Sequence, residues 1–180
     1  AQPLLIAAMD DPSGEYRATA LRLASEFASE AATREWMTKM QQVSPEVRAE
    51  IVTMLGKRGD KVASDVLTRQ ILAEDKAVRL AAIDAATRLT GTRAVAPMLE
   101  RLRKGPEEDE VQAIKSALLR VPGRQMVKAC AHALDETPPL SRIALLDVLK
   151  QRQAEAARRE VFDQTRAEDE AVRLAAIDAL

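Results

Sequence analysis

An all-α fold, a right-handed solenoid of about six helical hairpins, is what this sequence of 180 residues predicts. Aromatic residues make up only 2% of the chain, and it is rich in Ala, Leu, Arg and Glu, which lose little side-chain freedom in a helix. One phrase also occurs twice with a single substitution, as EDKAVRLAAIDA at 74–85 and as EDEAVRLAAIDA at 168–179. A repeated helical phrase indicates stacked structural units.

The Val-Arg pair of that phrase marks a period that runs through the whole chain. Related pairs follow one another at steps of 31, 31, 33, 30 and 31 residues. They are Tyr16-Arg17, Val47-Arg48, Val78-Arg79, Val111-Gln112, Ser141-Arg142 and Val172-Arg173. A hairpin of this size cannot bury both of its apolar faces alone, so neighbouring hairpins must stack. We therefore predict a single repeat domain over 1–180, with repeats near 1–28, 31–59, 61–91, 94–123, 124–153 and 154–180.

Each period contains an anchor helix, which carries the Val-Arg pair, and a leading helix, which precedes it. In the third anchor helix, apolar residues recur at helical spacing and form one stripe: Val78, Ala82, Ala85 and Leu89. Anchor helices are predicted at 12–28, 45–58, 76–90, 108–121, 138–153 and 170–180. Leading helices are predicted at 3–9, 31–42, 62–73, 94–104, 124–135 and 154–167.

Local signals mark the ends of these helices. Three anchor helices are predicted to begin with a capping side chain followed by a proline: Asp11-Pro12, Ser44-Pro45 and Thr137-Pro138. Asp75 and Asp169 are predicted to cap two more. Three glycines suit the left-handed residue that follows a last helical turn, at Gly59, Gly91 and Gly123.

Composition narrows the class of protein. The net charge is -1, which disfavours a generic binder of polyanions, and no apolar run reaches the roughly 20 residues that span a bilayer. The single cysteine, Cys130, cannot close an internal disulfide.

The chain starts at Ala1 without a Met and stops at Leu180 inside an apolar-periodic segment, so we expect it to be a piece of a longer protein.

Three segments carry a resemblance to a known family. DPSGEYRATALRLA, SPEVRAEIVTMLG and EDKAVRLAAIDAATRLTG resemble the pattern of HEAT repeats, and the short period is most similar to the bacterial HEAT-like repeats of phycobilin lyases. The resemblance implies that the anchor helices line a concave surface. It also implies a hydrogen-bond ladder between successive repeats, formed by Asp11 and by the arginines Arg17, Arg48, Arg79, Arg142 and Arg173. The fourth repeat departs from the pattern, with Gln112 at the arginine position and Lys115 at an apolar one.

Residues that could carry chemistry are few. The one histidine, His132, lies two positions after Cys130 in a leading helix, so the two side chains are expected on different faces. No spacing of Cys and His suits a metal site, and no phosphate-binding or nucleophile motif occurs. Trp36, with Met37 and Met40, fits core filling better than a stacking platform. We therefore predict neither a catalytic residue nor a cofactor.

The most informative surface signal is a column of positions five residues after each anchor arginine. Its members are Arg22, Thr53, Asp84, then Ser116 or Ala117, then Asp147 and Asp178. The C-terminal half of this column is acidic, which suggests a docking surface for a basic or polar partner. The alternative is a row of solvated positions with no partner.

These observations favour a non-catalytic protein-interaction or scaffolding module, whose partner is another protein or a neighbouring domain of the same chain. A nucleic-acid partner is disfavoured, because HEAT-like DNA glycosylases use a basic, aromatic face that this chain lacks. Three alternatives stay open: an accessory domain of a larger secreted bacterial enzyme, a lyase-associated HEAT protein acting on a tetrapyrrole, and an architectural spacer. The stretch ALLRVPGR resembles HEAT regions of secreted bacterial proteins and tilts the expected location towards the periplasm or the exterior.

Overall fold

The computed structural model describes residues 2–27 and 29–180. They belong to two compact units, Ala1–Thr90 and Gly91–Leu180. Helices and short 3-10 turns alternate with loops, and no strand occurs in the described ranges. None of the helices found there combines the length and apolar character needed to cross a membrane. The predicted all-α fold is confirmed.

The first unit consists of three consecutive helical hairpins. Its helices are α1 (Gln2–Ala7), α2 (Gly14–Glu26), α3 (Glu30–Met40), α4 (Pro45–Arg58), α5 (Ser64–Gln70) and α6 (Lys76–Thr90). Short 3-10 turns follow α1 and precede α5, at Ala8–Asp10 and Lys61–Ala63. The anchor helices α4 and α6 have the predicted bounds.

The second unit repeats the arrangement. Its helices are α7 (Val95–Arg103), α8 (Glu108–Arg120), α9 (Arg124–Ala133), α10 (Pro139–Gln151), α11 (Arg158–Gln164) and α12 (Glu170–Asp178). Its 3-10 turns precede α7 and α11, at Gly91–Ala94 and Glu155–Ala157.

Within each unit the anchor helices pack side by side, α2 on α4 on α6 and α8 on α10 on α12. Their apolar stripes, together with those of the leading helices, form the core. Trp36 is 1% exposed and Met40 is fully buried, so both fill the core of the first unit, as predicted. A very close contact lies between α4 and α6, where Gly56 faces Ala85 so closely that a Cβ at Gly56 would lie 2.4 Å from the Ala85 Cβ.

Three of the five predicted helix caps are confirmed. Ser44, Asp75 and Asp169 accept hydrogen bonds from the backbone N–H three residues later. The caps predicted at Asp11 and Thr137 are wrong. The Asp11 carboxylate accepts from the Ser13 N–H at 2.8 Å, and it is the Ser13 hydroxyl that caps α2.

The error at Thr137 follows from the proline pair at 138 and 139. A residue that precedes proline is driven out of the helical region, and Pro138 is accordingly extended, with ψ 162°. Helix α10 therefore begins at Pro139, and the Thr137 hydroxyl donates to the Leu134 carbonyl instead.

Two of the three glycine stops lie in the left-handed region, Gly59 at φ 75° and Gly91 at φ 54°. Gly123 does not end α8. Val121 ends that helix in an extended conformation, and Gly123, at φ 101°, is the residue that precedes α9.

Burial fixes the register of the fourth repeat. The spacing of the buried residues Val78, Ala82, Ala85 and Ala86 in α6 is matched in α8 by Glu110, Ile114, Ala117 and Leu118. The pair equivalent to Val-Arg is therefore Glu110-Val111, one residue earlier than predicted, and the steps become 31, 31, 32, 31 and 31 residues. The assignment of Gln112 to the arginine position is wrong, because Val111 occupies it.

Candidate partner-binding face

The column predicted from the period lies on the solvent side of the anchor helices in both units. Arg22 and Thr53 are exposed in the first unit, and Asp84 is half-buried. In the second unit Ser116 is exposed whereas Ala117 is fully buried, so Ser116 is the member from the fourth repeat. Asp147 is half-buried and Asp178 is exposed.

The three aspartates of the column all have basic partners. Asp84 pairs with Arg88 one turn later at 2.8 Å. Asp147 on α10 pairs with Lys115 on α8 at 3.1 Å, and Asp178 on α12 pairs with Lys150 on α10 at 2.6 Å. Neighbouring anchor helices in the second unit are thus bridged by ion pairs that use the column's carboxylates.

The Asp147 carboxylate accepts hydrogen bonds from two side chains. The Gln151 side chain donates to its carboxylate at 3.0 Å, and Lys115 donates to the other oxygen. Both contacts favour the charged form, so they hold the pKa of Asp147 below its ordinary value despite partial burial.

In the first unit the column borders a groove between α2 and α4. The groove has a volume of about 390 Å³. Its floor is apolar, formed by Leu21 and Met54, and its sides carry Arg22, Thr53 and Lys57. The sequence pattern found Arg22 and Thr53 but missed the floor, because the floor residues belong to the same apolar stripe that packs the core.

The arginines assigned to a ladder share one contact. Their side chains donate to backbone carbonyls at the end of the leading helix or in the turn that follows it. The bonds run from Arg17 to Asp11 and Pro12, Arg48 to Met40, Arg79 to Ala73 and Glu74, Arg142 to Thr137, and Arg173 to Ala167 and Glu168. Each arginine thereby ties its anchor helix to the end of its own leading segment. These carbonyls have no partner within the preceding helix, so the bonds stabilise the hairpin turn.

Arg17 and Arg142 also reach the next repeat. Arg17 is 5% exposed and bonds to Glu50 on α4 at 2.9 and 3.0 Å, and the same carboxylate raises the pKa of Arg17. Arg142 donates to Gln164 on α11, whose amide donates in turn to Asp135 at 2.7 Å. The backbone carbonyl of Asp11 accepts a hydrogen bond from Arg17, while its carboxylate accepts one from the Ser13 N–H.

The residues with potential for nucleophilic or metal chemistry lie apart. Cys130 is fully buried, and burial raises the pKa of its thiol to about 12, so it stays protonated near neutral pH. His132 points to the opposite, exposed side of α9. Across residues 2–27 and 29–180, no three acidic, Cys or His side chains cluster in a way that could hold a metal ion.

Comparisons with known proteins agree with this architecture. The family model for HEAT repeats matches residues 1–71 and 34–118, more than half of the chain. No curated protein matches the chain in sequence. Among solved structures, it resembles a designed armadillo repeat protein, at 14% identity and a TM-score of 0.50 over 100% of this chain and 98% of that one. It also resembles human deoxyhypusine hydroxylase in complex with glycerol, at 15% identity and a TM-score of 0.44 over 99% and 82%.

The likeness to the armadillo repeat protein shows the fold, an all-α solenoid of stacked hairpins. Folds of this kind are typical of protein-interaction scaffolds. The matched family model and the repeating anchor helices together lead to one conclusion: this chain belongs to the HEAT repeat family.

Proposed function

We propose that this chain is a non-catalytic interaction module that binds a short segment of another protein, or of a neighbouring domain, in the groove between α2 and α4. The observation that carries the proposal is the open groove between two anchor helices, whose apolar floor is formed by the nearly buried Leu21 and Met54. Stacked repeats present such grooves on rigid elements, which keeps the cost of ordering the binding surface low.

The composition of the groove suggests the chemistry of the segment. Leu21 and Met54 can contact one apolar side chain, and a methionine adapts its shape to several such side chains. Lys57 is exposed at the edge and has no acidic partner among the described residues. Glu50, also at the edge, is already paired with Arg17. The favoured segment therefore carries a Leu, Met or Phe next to an acidic residue.

The rest of the column supports a smaller role for the second unit. Asp147 and Asp178 are engaged with Lys115 and Lys150, so a basic partner would have to displace these lysines. Asp84 is likewise paired with Arg88. We propose that Arg22 and Thr53 contact the partner first, because the three aspartates of the column are already engaged in these ion pairs.

A peptide titration tests the proposal. Short labelled peptides carrying one leucine beside glutamate, glutamine or lysine are titrated with the protein, and binding is followed by fluorescence anisotropy. We expect the glutamate peptide to bind best. The Ala18→Arg variant places a long side chain in the groove and should weaken binding by about tenfold or more, because burial of one large apolar side chain contributes about 1.5–3 kcal/mol.

Ala77→Arg is the matched control, since Ala77 is exposed on α6 and lies outside the groove. It should leave the affinity unchanged. The proposal fails if no peptide of the panel binds, or if Ala18→Arg and Ala77→Arg bind alike.

A further inference from the structure

A second surface, on the leading helices of the second unit, carries basic charge that the fold does not use. Arg124, Lys128 and His132 recur every four residues along α9, so they share one face of the helix. All three are exposed, and none has an acidic partner among the described residues. Helix α9 contains no acidic residue.

The corresponding helix of the first unit behaves differently. In α3 the exposed Arg34 pairs with Glu30 at 3.4 Å, and Lys39 pairs with Asp10 at 2.6 Å. The exposed cations of α3 are thus paired within the fold, whereas those of α9 are available to a ligand.

These cations border a groove of about 1070 Å³. One wall is α9, with Val127 and Ala129 between the basic side chains, and the other is the turn formed by residues 152–156. That turn brings a single acid, Glu155. Arg152 also lines this wall, and its Nη2 donates to carbonyls at the end of α8, including that of Val121 at 2.6 Å, so this nitrogen is already engaged within the fold.

The rim of the groove also holds the one non-glycine residue with positive φ in the described chain. Gln153 has φ 47°, whereas the other left-handed positions are glycines. A side chain is disfavoured in this conformation. Glycine would relieve the strain, so a glutamine in this conformation at the rim suggests a function there.

We infer that this basic groove binds an acidic segment of a partner protein, separately from the groove between α2 and α4. Carboxylates of the segment would pair with Arg124 and Lys128, and Gln153 would donate a hydrogen bond from the opposite rim. A protein segment fits better than nucleic acid. The stripe has two permanent cations, the strip between them is aliphatic, and no aromatic side chain lines the groove to stack on bases.

The test uses a labelled glutamate-rich peptide, its glutamine counterpart and a single-stranded oligonucleotide of equal charge. We expect the glutamate peptide to bind, with an affinity that falls as salt is raised, and the other two to bind at least tenfold more weakly. The double variant Arg124→Gln/Lys128→Gln should lose at least tenfold in affinity. Arg34→Gln, which removes an exposed cation of α3, should not change it.

Gln153→Gly separates a binding role from a structural one. It should raise the melting temperature, because strain is relieved, and at the same time weaken binding of the glutamate peptide severalfold. If Gln153→Gly binds the glutamate peptide with the same affinity as the natural chain, Gln153 is not part of the binding site. Equal binding of the oligonucleotide, or an unchanged affinity of the double variant, would overturn the proposal as a whole.

Discussion

Glu110 is buried to 1% exposure, and its carboxylate is held by the Arg101 guanidinium through bonds of 2.7 and 3.1 Å. In four of the other five anchor helices the equivalent position holds a buried apolar or small side chain, at Val47, Val78, Ser141 and Val172, and in α2 it holds the exposed Tyr16. A buried charge in that position is tolerated only because the leading helix α7 supplies its partner.

Removing that partner should destabilise the second unit strongly. Arg101→Ala removes both of these bonds from the buried Glu110 carboxylate, and we expect a loss of about 3 kcal/mol in the free energy of unfolding, measured by urea denaturation. The double variant Arg101→Leu/Glu110→Val, which restores the apolar pattern of the other repeats, should recover most of it. If the double variant is as unstable as Arg101→Ala, loss of the charge pair is not the cause of the destabilisation.

Arg103→Ala is the control for that experiment. Arg103 also forms an ion pair, with Glu136, but both side chains are substantially exposed. Solvent-exposed pairs contribute about 1 kcal/mol or less. If Arg103→Ala lowers the free energy of unfolding as much as Arg101→Ala does, burial of the ion pair does not determine how much its loss destabilises the chain.

Gly56→Ala should also destabilise the chain, although alanine favours helices. The added Cβ would lie 2.4 Å from the Ala85 Cβ and 2.7 Å from its Cα, so α4 and α6 must move apart. Overpacking of this kind costs about 1–3 kcal/mol and outweighs a gain in helix propensity of about 1 kcal/mol. Gly14→Ala, whose new Cβ would meet only the Arg17 guanidinium at 3.7 Å, should be neutral or stabilising. Thermal unfolding of both variants decides whether the contact is as tight as described.

The anchor arginines should differ in their contribution to stability. Arg17 bonds to its own turn and to Glu46 and Glu50 of the next repeat, whereas the bonds of Arg173 go to the carbonyls of Ala167 and Glu168 in its own turn. We therefore predict a larger fall in melting temperature for Arg17→Ala than for Arg173→Ala. Equal falls would mean that the bonds to the next repeat contribute little.

Asp147 should add an acid-sensitive contribution to stability. Its pKa is lower in the folded chain than in the unfolded one, chiefly through the Gln151 hydrogen bond, so the folded state favours the charged form. This stabilisation is complete above the ordinary pKa of about 3.9 and is lost as the pH falls from there through the lower folded value. Asp147→Asn should therefore flatten the decline of the melting temperature below about pH 4. A decline of unchanged steepness would argue against this contribution.

The helices were largely predictable because their signals are local. In α4 and α6 the apolar stripe, the cap at Ser44 or Asp75 and the glycine at the end all agree, and both helices have the predicted bounds. The start of α2 was less certain, because Asp11 and Ser13 are both good caps and only the geometry of the turn decides between them.

The electrostatics of the surface were not predictable in the same way. Asp147 is separated from Lys115 by 32 residues, and Asp178 from Lys150 by 28. The column pattern gave the positions of these acids but not the cations of the neighbouring helix. The register of the fourth repeat failed for a similar reason, since the partner that allows Glu110 to be buried lies on a different helix.

The most direct test of the proposed function is a nuclear magnetic resonance titration of the labelled protein with the leucine–glutamate peptide. Binding in the groove between α2 and α4 predicts that the largest chemical-shift changes occur at Leu21, Thr53 and Met54, with those at Asp147 and Asp178 much smaller. Changes centred on α9 or on the second unit's anchor helices, or none at saturating peptide, would contradict the account.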